Sequence, residues 1–163
     1  MDVKPQNEHR WLERLVGEWS YEHECKVGDE TSKWSGREVV RSLGGLWTIA
    51  EGEGEMPCGG TGQTIMTLGY DPQKKRYVGT FLVSVMAYLW VYEGSVDASG
   101  KRLVLDTVGP KFSQDGTPLE GTARYQDIVE IIDDDHRILR SQVLGDDGQW
   151  HPIMTGHYRR TKR

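Results

Sequence analysis

Three carboxylates stand on stripes of the sequence that are otherwise apolar. Glu38 alternates with Trp34 and Val40, Glu51 with Trp47 and Ile49, and Asp127 with Tyr125 and Val129. Such a placement is costly unless the group is paired or reaches water. A carboxylate held in an apolar site has its pKa pushed up, which is the condition for a general base near neutral pH. The chemistry on offer is proton transfer, as in an isomerase, cyclase or hydrolase, or the orienting of a ligand's polar end in an apolar pocket. A structural ion pair is the commoner use of such residues. Arg37, Arg41 and Arg124 are near in sequence but fall on the opposite faces by parity.

Other constellations are thinner. Trp47, Tyr77, Phe81, Tyr88, Trp90 and Tyr92 could line a pocket for an apolar or planar ligand, or simply pack. His151 and His157 are six apart and should share a face of the last strand, as His23 and Cys25 share a face of the first. Closure of a barrel would bring His23, Cys25 and His157 together, yet no set of four zinc ligands can be assembled, and no metal is assigned. The runs Asp133–Asp135 and Asp146–Asp147 lack the ligand spacing of a calcium loop and read as turns. Gly52-Glu53-Gly54 and Gly59-Gly60-Thr61-Gly62 fit neither phosphate-binding pattern, and no Gly-x-Ser-x-Gly occurs. No residue is assigned a catalytic role and no cofactor is implied by these motifs.

The chain has 163 residues, a net charge of −5, 36% hydrophobic and 28% charged residues. Its length predicts one domain over residues 1–163. A pI of about 5.5 excludes general nucleic-acid binding, the basic end Arg159-Arg160-Thr161-Lys162-Arg163 notwithstanding. The start lacks the apolar core of a signal peptide, and the longest near-apolar run, Phe81 to Tyr92, is too short to span a bilayer as a helix. These readings predict a cytoplasmic protein with no membrane partner. Cys25 and Cys58 permit one disulfide at most. Twenty Gly, six Trp and seven Tyr against two Phe point to many strands and turns.

Trp11, Leu12, Leu15 and Val16 recur at helical spacing, with Gly17 as a stop, and predict a helix over 6–16 with Asn7 as its N-cap. Nine turn clusters follow: Gly28–Glu30, Gly44-Gly45, Pro57–Gly60, Asp71–Lys74, one near Ser84 with no turn residue, Asp97–Gly100, a long loop from Gly109 to Gly121, Asp133–Asp135 and Asp146–Gly148. Nine turns make ten strands over 17–160. The stripe Trp19-Tyr21-His23-Cys25 opposes Glu18-Ser20-Glu22-Glu24, so the aromatic side faces inward. Ten strands joined by tight turns predict an all-β, antiparallel up-and-down barrel, because closure removes the exposed edges. Ten strands also exceed the number at which side chains just fill the interior, so a cavity is expected.

Gly17-Glu18-Trp19, after a short helix and opening the first strand, resembles the Gly-x-Trp signature of the lipocalin and calycin barrels. That resemblance implies a Trp19 plug at the closed end covered by a basic residue of the last strand, Arg159 or Arg160. The chain also resembles a bacterial family known as domain of unknown function 1579. The matching segments are Glu8–Leu12, Leu15–Trp19, Ser42–Trp47, Met66–Pro72, Trp90–Gly94 and Asp146–Trp150 with Met154 and His157-Tyr158-Arg159. This implies a calycin-like barrel of a bacterial cytoplasm and no particular activity. The first functional expectation is a small apolar or amphipathic ligand inside the barrel, met by Glu38, Trp47, Glu51, Trp90, Tyr92, Tyr125, Asp127 and His157. The alternatives are an enzyme using Glu38, Glu51 or Asp127 as general base, and haem binding through His157, by analogy with related ten-stranded barrels. Association into a homo-oligomer stays open.

Overall fold

The computed structural model describes residues 3–163, the side chain of Val27 apart. One helix, α1 (Asn7–Glu13), precedes ten strands: β1 (Gly17–Val27), β2 (Glu30–Leu43), β3 (Trp47–Glu55), β4 (Thr61–Asp71), β5 (Arg76–Val83), β6 (Trp90–Val96), β7 (Arg102–Phe112), β8 (Pro118–Asp133), β9 (His136–Leu144) and β10 (Trp150–Lys162). Each strand pairs antiparallel with its neighbours in sequence, and β10 pairs with β1, closing the barrel. The expected strand number and topology are both present.

Two boundaries differ from the sequence reading. The helix is capped by Gln6 rather than Asn7: the Gln6 N–H donates to Nδ1 of His9 at 2.9 Å, while Asn7 Oδ1 accepts from Arg10. It ends at Glu13 because Arg14, Leu15 and Val16 turn back onto carbonyls three residues earlier, the tighter winding common at helix ends. The loop expected over Gly109–Gly121 is mostly strand. Pro110 is accommodated at a bulge between Pro110 and Lys111, and only Ser113–Thr117 turns. Near Ser84 the chain uses a six-residue link, Ser84–Leu89, tied by the Ser84 N–H to the Gln63 carbonyl.

α1 covers one end of the barrel. Leu12 and Leu15 enter the core there, Tyr77 donates to the Glu8 carbonyl, and the Trp11 indole donates to the Gly100 carbonyl. Trp19 is 2% exposed, and its indole N–H donates to the Leu15 carbonyl at 2.9 Å. Arg160 lies over its ring and bonds the carbonyls of Arg14 and Val16. The covering residue is therefore Arg160. Arg159 faces outward, because Tyr158 and Arg160 share the inner parity of β10 with their partners Tyr21 and Trp19. Gly17 has φ +140°, and a side chain there would collide with Arg160, so glycine is required at the entry to the first strand.

Candidate functional site

The barrel interior holds a cavity of about 230 Å³. It runs from Leu15 under the helix to Met56 and Pro57 in the β3–β4 turn at the opposite end. Apolar walls come from Val40, Ala50, Met66, Phe81, Val129 and Leu139. Polar groups reach the same space from five strands: His23, Glu38, Asp127, Arg137 with Ser141, and Tyr158.

Glu38 and Asp127, both expected to face inward, do so in different company. Glu38 is paired with Arg137, and both side chains are nearly buried. The Arg137 guanidinium lies 4.0 Å from the Tyr158 ring centre and 4.7 Å from that of Trp19. Its Nε is buried without an acceptor among the described residues, as suits a planar cation packed on aromatic faces. Asp127 has no such cation. Ser141 Oγ donates to it at 2.6 Å and the Tyr92 hydroxyl donates to its other oxygen. Burial raises its pKa above the usual carboxylate range, and those two hydroxyls counter the rise only in part.

His23 completes the polar wall. Its Nε2 meets the Tyr158 hydroxyl at 2.8 Å, and its ring packs among Tyr21, Trp34 and Tyr158. Burial, reinforced by the Arg137 charge, lowers its pKa to about 4, so the ring is neutral at pH 7. Gly156 makes room for it, since a β-carbon there would run into the imidazole.

Other expected residues lie elsewhere. Glu51 and Trp47 face outward. The inner stripe of β3 is Thr48, Ala50 and Gly52, and Glu51 pairs with Arg41 on the outer surface. Trp47 lies flat over Gly69, where a side chain would meet its ring. His157 is also outside, with its Nδ1 3.1 Å from His136 Nε2, so the haem expectation loses its proposed ligand. His23, Cys25 and His157 do not converge, because His23 and His157 occupy opposite sides of the sheet. His151 and His157 do not share a face either. A bulge between Pro152 and Met154 reverses the alternation, leaving His151 opposite Val143 and His157 opposite Ile138. Trp90 and Tyr125 are on the inner parity but pack on each other and on Gly109, away from the cavity lining. Tyr92 acts on the site through Asp127.

Arg137, Ser141 and Tyr158 were not anticipated. The hairpin register carries the needed signal: Ile131, on the inner stripe of β8, pairs with Arg137, which places Arg137, Leu139 and Ser141 inward.

A closed ten-stranded antiparallel barrel with an enclosed, part-polar interior is thus the class of structure this chain forms. The chain belongs to the family described as protein of unknown function DUF1579, whose model matches residues 4–160. No curated protein matches it. Among solved structures it is similar to Rv2717c from M. tuberculosis, with TM-score 0.63, 10% identity, and coverage of 97% of this chain and 99% of that one. It is also similar to EF1p2_mFAP2b bound to DFHBI, with TM-score 0.50, 11% identity, and coverage of 94% and 99%. At these identities the likeness concerns the fold. Among the described residues, no helix is long and apolar enough to cross a membrane.

Proposed function

We propose that the protein binds a small apolar or amphipathic molecule inside its barrel. The carrying observation is the cavity of about 230 Å³, with apolar walls and a few fixed polar groups on one side. An apolar protein cavity of about 150 Å³ already holds benzene, and sites for drug-sized ligands occupy about 300–1,000 Å³. The expected ligand is therefore small, near one ring or a short chain with a polar end. The solved complex of EF1p2_mFAP2b with DFHBI supports the reading at the level of fold alone. A bacterial cytoplasmic setting rests on the family resemblance.

The enzymatic alternative narrows to one carboxylate. Arg137 holds Glu38, and Glu51 is outside. Both oxygens of Asp127 already accept hydroxyl protons, which suits holding a ligand better than removing a proton from one.

The test is native mass spectrometry of gently purified protein for a co-purifying molecule, with displacement of a small uncharged fluorescent probe. Ala50→Leu puts an isobutyl group into the cavity and should abolish probe binding while the protein stays folded. Probe binding that is absent in the parent, or equal in Ala50→Leu, would overturn the proposal.

A further inference from the structure

Among the described residues, Asp127 is the one carboxylate lining the cavity without a cation. It sits on β8 between Leu105 of β7 and Ser141 of β9, its partners in register, with Tyr92 of β6 reaching it on the diagonal. Ser141 and Tyr92 donate one hydrogen bond to each of its oxygens. That is the hydrogen-bonding half of a site for an ionised carboxylate. The charged half is missing: among the described residues, Asp127 forms no salt bridge, and the one buried arginine nearby, Arg137, is taken by Glu38.

The surroundings add to the asymmetry. Phe81, Trp34, Tyr21 and Tyr158 present aromatic surface to the same cavity, and ring faces attract cations. The charged and titratable groups around the cavity are the Glu38–Arg137 pair, His23, Tyr21, Tyr92 and Tyr158. With Glu38 and Arg137 cancelling, an anionic ligand would meet Asp127 as a second negative charge. A cationic one would supply what Asp127 lacks.

Building on the lumenal binding proposed above, we infer that the barrel takes a small amine, its ammonium bonded to Asp127 and its apolar body against the Phe81–Met66 wall. Ser141 and Tyr92 keep the carboxylate turned toward that ammonium. The inference concerns binding, and no bond is made or broken.

Three ligands of nearly one shape separate the cases: benzylamine, benzyl alcohol and benzoate, titrated at pH 7 by calorimetry with ligand-observed NMR. Benzylamine should bind at least tenfold tighter than benzyl alcohol, and benzoate more weakly than either. Asp127→Asn should bring benzylamine to the level of the alcohol and leave the alcohol unchanged. Ser141→Ala, a milder change, should weaken benzylamine severalfold and serves if the Asn variant fails to fold. Ala50→Leu should remove all lumenal binding, which distinguishes it from amine collected by a surface of net charge −5. Equal affinity for amine and alcohol, a preference for benzoate, or an amine affinity indifferent to both Asp127→Asn and Ser141→Ala would overturn the inference while leaving a lumenal site intact. If neither the three ligands nor the uncharged probe binds, the lumenal reading falls with it.

Discussion

The guanidinium carbon of Arg160 lies 4.3 Å from the centre of the Trp19 ring, and the same guanidinium group bonds the backbone carbonyls of Arg14, Val16 and Asp134. One side chain thereby joins the end of the helix, the first strand and the β8–β9 turn, and covers the plug. Trp19→Ala should cost about 3–5 kcal/mol, the usual range for truncating a buried aromatic. Arg160→Lys should not rescue the loss seen in Arg160→Ala, because a single ammonium cannot bond three carbonyls set around a planar fork. Arg159→Ala should stay within about 0.5 kcal/mol of the parent, as an outward-facing residue. Urea denaturation of the four variants checks the ranking. Equal effects for Arg159→Ala and Arg160→Ala would contradict this closure.

Glu38 and Arg137 form an ion pair whose side chains are 12% and 7% exposed. Removing one partner strands the other charge in the interior. Glu38→Gln and Arg137→Met should each cost about 3–5 kcal/mol, and the double variant should cost less than their sum. A double-mutant cycle by chemical denaturation measures this, and strict additivity would show that the pair is not energetically coupled.

The barrel was legible in the sequence because its turns are written in Gly, Asp and Pro and its first strand separates aromatic from acidic residues. β3 was misread for a physical reason. A cavity needs small side chains on the strand that borders it, so Thr48, Ala50 and Gly52 point in, while Trp47 and Ile49, the apolar residues one would assign to a core, point out. Parity also fails wherever a strand carries a bulge, as between Pro152 and Met154, which is why His151 and His157 part company. β9 reads His136-Arg137-Ile138-Leu139-Arg140-Ser141 with neither face clean. Its decisive residues, Arg137 and Ser141, become visible only through the register of its hairpin with β8. Glu38 and Asp127 are legible because an acid on an apolar stripe is conspicuous, whereas the cation that answers one of them is distant in sequence.

Gly156 should resist any side chain. Its partner across the sheet is His23, whose ring fills the space a β-carbon would take. Gly156→Ala should destabilise by about 1–3 kcal/mol through overpacking, against the small gain an alanine ordinarily gives over glycine in a strand. Adding His23→Ala should recover part of that loss, since the methyl then meets a void. Thermal melts of the single and double variants check this, and a Gly156→Ala protein as stable as the parent would mean that the His23 ring lies elsewhere.

The two titrating groups of the cavity wall pull stability in opposite directions with pH. His23 is protonated in the unfolded chain below about pH 6.5 but in the folded protein only near pH 4. Between those values the unfolded state binds the extra proton, so His23 makes the fold less stable as pH falls from about 6.5 to 4. The full effect is about 3 kcal/mol at the low end, from the free-energy equivalent of the shift. Asp127 works the other way. Its folded pKa lies above its unfolded value, so the stability it contributes is present below the unfolded pKa and is lost as pH rises through the folded one. The two slopes overlap and partly cancel in the parent protein. In Asp127→Asn the stability curve between pH 6.5 and 4 should therefore fall more steeply on acidification than in the parent, and in His23→Phe it should fall less steeply. Urea unfolding at half-unit pH steps on the three proteins measures each slope. Parallel curves for all three would mean that neither side chain has the buried, unrelieved setting its neighbours give it.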